Sequence, residues 1–170
     1  MLEFGADRRD ELREILADIR RDDLRASEVI HRLRLLLTRQ EVERQAFDLN
    51  DVVSEMASLL RSEVQRRGMR LDIQTAPAIT TLVGDRIQIQ QVLINLVVNA
   101  MDAVADLPEA RRTILVSVAV RAGAIAISVS DRGHGIAPEY LPQLFDSFFT
   151  TKPQGMGLGL SIARTIVEAH

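Results

Sequence analysis

Two apolar runs of period two constrain this chain more than any other feature. Ile114, Val116, Val118 and Val120 occupy alternate positions, and after Arg121-Ala-Gly-Ala124 the pattern resumes at Ile125, Ile127 and Val129. Alternate residues of a strand share one face, so the runs predict an antiparallel hairpin in the middle of a sheet, with a face that must be covered. Helices are available to cover it. Asp48-Leu-Asn50 leads into an amphipathic run through Val52, Val53, Met56, Leu59, Leu60 and Val64, closed by Gly68 as a C′ glycine. A second helix is expected from about Asp85 to Asp106, ending near Pro108, and a third from near Gly157 to the end. Leu71 with Ile73, and Ile79 to Val83, read as two further short strands. Helices grouped on one face of a mixed sheet make a two-layer α/β sandwich. With 46% apolar residues but only 4% aromatic ones, its core must be aliphatic.

The first forty residues read as a separate unit. Leu12, Leu16, Ile19, Asp23, Ala26, Ile30, Leu33 and Leu37 are spaced alternately by four and three, a heptad seam with one polar interruption. Such a long, narrow-striped helix needs a partner to be stable. The net charge of −3 with interspersed signs argues against a nucleic-acid or anionic-membrane partner. Without cysteine there is neither a disulfide framework nor a thiolate metal site. No apolar run of membrane-spanning length and no signal peptide stand out, so a cytoplasmic location is expected, whether or not a longer parent is membrane-anchored.

Four segments carry chemistry. On the long helix, Gln91, Asn95, Asn99, Asp102 and Asp106 recur every three or four residues and share a face. Asparagines in mid-helix cost stability. Their amide oxygens are hard ligands that suit a Mg²⁺ held mostly by phosphates and water, although a solvated polar face explains the same stripe. Asp131-Arg-Gly133-His-Gly135-Ile136 follows the second run of the hairpin, where a carboxylate can reach a pocket floor; a simple Asp-x-Gly turn is the plain alternative. Residues 137–156 are broken by Pro138, Pro142 and Pro153 and hold Tyr140, Phe145, Phe148 and Phe149. Lys152, the only lysine, lies there, and its flexible ammonium suits a moving phosphate. Phe145 and Phe148 are expected to anchor this segment to the domain. Gly155-Met-Gly157-Leu158-Gly159-Leu160 then opens a helix whose free N–H groups make an anion site. It lacks the Gly-Lys-Ser/Thr of a P-loop and does not follow a first strand as a dinucleotide turn would.

In this order the four segments resemble the N, G1, F and G2 boxes of the catalytic ATP-binding domain of two-component sensor histidine kinases, over roughly residues 48 to 170. The resemblance implies the histidine kinase and gyrase-type ATPase fold, preceded by a long heptad-patterned helix. Residues 1–45 would be part of the dimerisation and phosphotransfer region (its second hairpin helix), and 46–170 the catalytic domain, shortened at its C-terminus. It implies ATP and Mg²⁺ as cofactors, with Asn99 the metal ligand, Asn95 near the phosphates and Asp131 accepting from the adenine amine. Gly133, Gly135, Ile136, Lys152, Gly155, Gly157, Leu158, Gly159 and Leu160 complete the implied ATP site. Relatives often carry Lys and an aromatic residue where Asp102 and Ala103 stand here, so contacts from that turn are not carried over. Implied partners are a response regulator receiver domain and a second copy of the chain through the hairpin helices. None of His31, His134 and His170 has the acidic neighbour and nearby proline of a phosphoacceptor box, so no catalytic histidine is assigned and no self-phosphorylation is expected. The alternative is a clamp-type ATPase of the same superfamily, but its water-activating glutamate is replaced by Gln91, four residues before Asn95.

Overall fold

The structure is a computed structural model, described here for residues 44–75, 81–121, 124–152 and 155–170. The heptad seam of residues 12–37 lies outside the described residues, as do Ile79 and Pro153. In chain order the elements are β1 (Gln45–Asp48), α1 (Leu49–Arg66), β2 (Arg70–Gln74), β3 (Thr81–Gly84), α2 (Arg86–Val104), β4 (Thr113–Arg121), β5 (Ala124–Asp131) and α3 (Gly159–Ala169). Short 3₁₀ helices lie at Glu109–Arg111 and Pro138–Gln143.

Helix ends follow local chemistry. Asp48 caps α1 by accepting from the Asn50 N–H, and Asp85 caps α2 by accepting from both Ile87 and Gln88. Gly68 leaves α1 with φ of +60°, a left-handed conformation that glycine adopts without strain. The hairpin of β4 and β5 is antiparallel from Ile114 opposite Asp131 to Arg121 opposite Ala124. It is not, however, central. β2 pairs in parallel with the other side of β4, so the order is β2-β4-β5, and β5 is an edge among the described residues. That placement explains why Ile114, Val116 and Val118 of β4 are buried whereas Ile125, Ile127 and Val129 of β5 are only partly so.

β1 has no alternating pattern long enough to reveal it, and it forms a separate antiparallel ladder with β3. Layered over the three-stranded sheet, Val52, Val53 and Met56 of α1 share one aliphatic core with Leu93, Val97, Met101 and Val104 of α2 and Ile162 of α3. Leu59, expected on the buried stripe of α1, is 61% exposed. α2 is by length and composition apolar enough to cross a membrane, yet here it is the central helix, apolar because it is packed on several sides.

Candidate functional site

α2 gathers the pieces. Asn95 is only 9% exposed, so the asparagine stripe is not a solvated face at that level, and its Nδ2 donates to the Gly159 carbonyl of α3 at 3.3 Å. Asn99 lies one turn on, half-buried, and its Oδ1 accepts from Lys152 Nζ at 2.9 Å. Asp102 lies near the next turn and takes the same ammonium at 2.7 Å through Oδ2, while its Oδ1 accepts from Arg67, just past α1, at 3.0 Å. Asp106, at the end of the stripe, is exposed and outside the helix.

The four glycine-bearing positions do different things. A Cβ at Gly133 would collide with the Ala103 carbonyl, so this glycine lets the turn after β5 lie directly against α2. Gly135 has φ of +73° and open space around it, so it serves the backbone turn. Asp131 ends β5, exposed, with Oδ1 accepting from the Gly133 N–H at 2.8 Å. This is the Asp-x-Gly turn of the plain alternative, and it leaves Oδ2 without a partner among the described residues. Ile136 is exposed beside it. Gly157, at φ of +65°, carries the Phe148–Phe149 backbone so closely that a Cβ would clash. At Gly159 a Cβ would reach ordinary contact with Asn99 Nδ2, 3.9 Å away, so there is room for one methyl group between α3 and the asparagines.

That space lies at the start of α3, which begins at Gly159 and not at Gly157 as expected, and which no side chain caps. Uncapped N–H groups and the positive end of the helix dipole favour an anion there. Leu158, named among the site residues, has its side chain fully in the core, and its carbonyl accepts from Ser161 and Ile162. Only its backbone borders the site. Leu160 is half-buried on the helix. Gly155 packs against the Thr150 hydroxyl and Lys152.

The segment over these groups is anchored differently from expectation. Phe145 is held by the Arg164 guanidinium of α3, 5.7 Å from its ring centroid. Phe148 is no anchor. Its φ of +70° turns the ring outward, 68% exposed, and its N–H is what ties it down, donating to Gly157. Phe149, packed on Tyr140 with centroids 5.7 Å apart, takes the anchoring role.

Sequence reasoning passed over Arg67. Its place just after the last turn of α1 reads only as a favourable partner for the helix dipole. In the structure burial draws its pKa down, but hydrogen bonds with Glu63 and Asp102 outweigh this and hold it above the ordinary arginine value. Glu63 is held below the ordinary carboxylate value, first by Arg66 and then by Arg67.

The donors match a phosphate chain with its cation better than a free metal. Among the described residues no cluster of His, Asp or Glu could hold a metal alone. Asn99 offers one neutral oxygen, so a hard divalent ion at this place needs phosphate oxygens and water for the rest of its shell.

Comparison with known proteins agrees. Residues 84–170 match the family of histidine kinase-, DNA gyrase B-, and HSP90-like ATPases. The chain is similar to the sensor protein FixL of Bradyrhizobium diazoefficiens, with 38% identity over 86% of this chain and 29% of that protein. It is also similar to the sensor histidine kinase TmoS of Ectopseudomonas mendocina, with 36% identity over 94% of this chain and 17% of TmoS. It thus spans less than a third of the length of these relatives. Among solved structures it resembles the histidine kinase ThkA in complex with the response regulator protein TrrA, with a TM-score of 0.71 and 29% identity over 89% of this chain and 43% of the other. The chain belongs to the family of histidine kinase-, DNA gyrase B-, and HSP90-like ATPases, as a catalytic domain of the sensor histidine kinase type.

Proposed function

We propose that the α2 face binds Mg-ATP and that the whole protein donates the γ-phosphoryl group to a histidine, for onward transfer to an aspartate of a response regulator receiver domain. One observation carries the reading: the Asp131 turn, the two asparagines, the uncapped start of α3 and the only lysine meet along one helix. The resemblance to a kinase that forms a complex with a response regulator supports the partner. Homodimerisation through residues 1–45 and a cytoplasmic location complete the proposal, with 46–170 as the ATP-binding domain.

When bound, Mg-ATP supplies the phosphoryl group and a cation that neutralises the phosphate oxygens. Asp131 Oδ2 accepts from the exocyclic amine of the base and so selects adenine. Gly133, Gly135 and Ile136 shape the turn beneath it. Asn99 would ligate the cation, Asn95 fixes the first turn of α3, and that turn, reached through Gly155 and Gly157 and opening with Gly159 and Leu160, would face the phosphates with its N–H groups. Lys152 adds a mobile positive charge. The chain therefore contributes positioning and electrostatics and no covalent intermediate, as phosphoryl transfer allows. The clamp-type ATPase reading is not favoured: the relatives are sensor kinases, and Gln91 is no base.

Calorimetry tests the assignment. Asp131→Asn should weaken ATP and adenosine alike, by roughly 1.5–3 kcal/mol, the range for a charge-assisted hydrogen bond. Asn99→Ala should abolish the Mg²⁺ dependence of ATP binding and spare adenosine. Wild-type affinity in a folded Asp131→Asn protein would remove the base-reading role. Equal loss of adenosine and ATP in Asn99→Ala would reduce Asn99 to a structural residue.

A further inference from the structure

Lys152 is not waiting in solvent. Its ammonium donates to Asn99 Oδ1 at 2.9 Å and to Asp102 Oδ2 at 2.7 Å, and Asp102 is itself fixed from the other side by Arg67 at 3.0 Å. Arg67 is in turn braced by Glu63, and its carbonyl accepts from Arg112 at 3.0 Å. A chain of charges thus runs from α1 through α2 to the segment over the site. Two points of chemistry follow. Asp102 is the only carboxylate that pairs with Lys152 among the described residues, and it sits on α2, held by Arg67 from just past α1, while the lysine is on a loop. The oxygen that Lys152 occupies on Asn99 is also the oxygen proposed to ligate the divalent cation. Two cations on one amide oxygen repel one another at such distances.

We propose that Asp102 is a positioning residue: its carboxylate, oriented by Arg67, parks Lys152 on Asn99 until phosphate oxygens draw the ammonium away and free the amide for the cation. The inference rests on the Mg-ATP reading above and deepens it. In the parked state the lysine stands in for the metal at Asn99 and ties residues 146–152 to α2. On arrival of Mg-ATP the phosphates become the better anion for Lys152, Asp102 keeps its pairing with Arg67, and the loop is re-tied through the nucleotide.

The experiment is amide hydrogen exchange of residues 146–152 in wild type, Asp102→Asn, Lys152→Met and the double variant, first without nucleotide. Each single variant should speed exchange several-fold, the double variant no further, and Asp102→Glu should restore slow exchange. Additive effects, or none, would overturn the proposal. Because Lys152→Met leaves the Arg67–Asp102 pair intact, its result stands even if Asp102→Asn unfolds. Calorimetry then separates the two levels. Asp102→Asn should tighten Mg-ATP about 2–5-fold, the scale of a partly exposed ion pair, and leave adenosine unchanged. Weaker Mg-ATP binding in that variant would place Asp102 in the bound state and end the parking role. Failure of wild type to bind ATP at all would overturn the nucleotide reading, and with it the exchange of partners, while the nucleotide-free cycle still decides whether Asp102 holds the lysine.

Discussion

Glycines two residues apart in one motif are held for opposite reasons. Gly157 has a left-handed backbone and no room for a Cβ against Phe148 and Phe149, so Gly157→Ala should destabilise the fold by about 1–3 kcal/mol in a urea titration. At Gly159 a Cβ would sit in ordinary contact with Asn99 Nδ2, 3.9 Å away, so Gly159→Ala should leave stability within about 1 kcal/mol, alanine being the better helix former. The same methyl takes up the space against Asn95 and Asn99, and ATP affinity should fall on the order of tenfold. An alanine at 159 that unfolds the protein, or one that binds ATP normally, removes that space from the site. From sequence both glycines look alike, since a motif records the residue and not which neighbour it makes room for. Leu158 shows the same limit: its position between two glycines suggests the site, whereas its side chain belongs to the core.

Elements were legible wherever their signals are local. Asp48, Asp85 and Gly68 mark helix ends through hydrogen bonds and backbone angles confined to a few residues. Asp85 accepts from two N–H groups at once, so Asp85→Ala should cost about 1 kcal/mol of stability, read as a lower denaturation midpoint. β1 escaped notice because its partner is β3, far along the chain, and four residues carry no usable period. The charge cluster at the end of α1 makes a further prediction. Glu63 has its folded pKa depressed by Arg66 and then Arg67, so its contribution is complete above the ordinary carboxylate range and is lost as pH falls through it. Urea midpoints should therefore drop between about pH 5 and pH 3 less steeply in Glu63→Gln than in wild type. The effect is a few tenths of a kcal/mol, because the cluster is largely solvated. Parallel slopes for the two proteins would show that Glu63 is paired equally in the unfolded chain.

At the scale of the molecule, the layer architecture could be read in advance because alternation and helical periodicity each name a face that must be covered. What could not be read is which strand stands at the margin. The hairpin's apolar pattern looks the same whether β5 has one neighbour or two, and only the pairing of β2 with β4 decides it. The site was likewise legible as four segments but not as a joined object. That Lys152, Asp102 and Arg67 touch depends on three elements distant in sequence.

The parallel ladder has a consequence for how the chain reaches this state. Arg70 to Gln74 lie beside Thr113 to Ser117, with β3 and all of α2 strung between them. β4 and β5, by contrast, are separated by only two residues of sequence. Closing the long crossover costs more chain entropy than closing the hairpin, and it gains little until α2 has docked on both. In refolding followed by pulsed deuterium labelling, amides of the β4–β5 ladder should therefore gain protection before those shared by β2 and β4. Simultaneous protection of both ladders would mean that the crossover helix and the parallel pair condense as one nucleus.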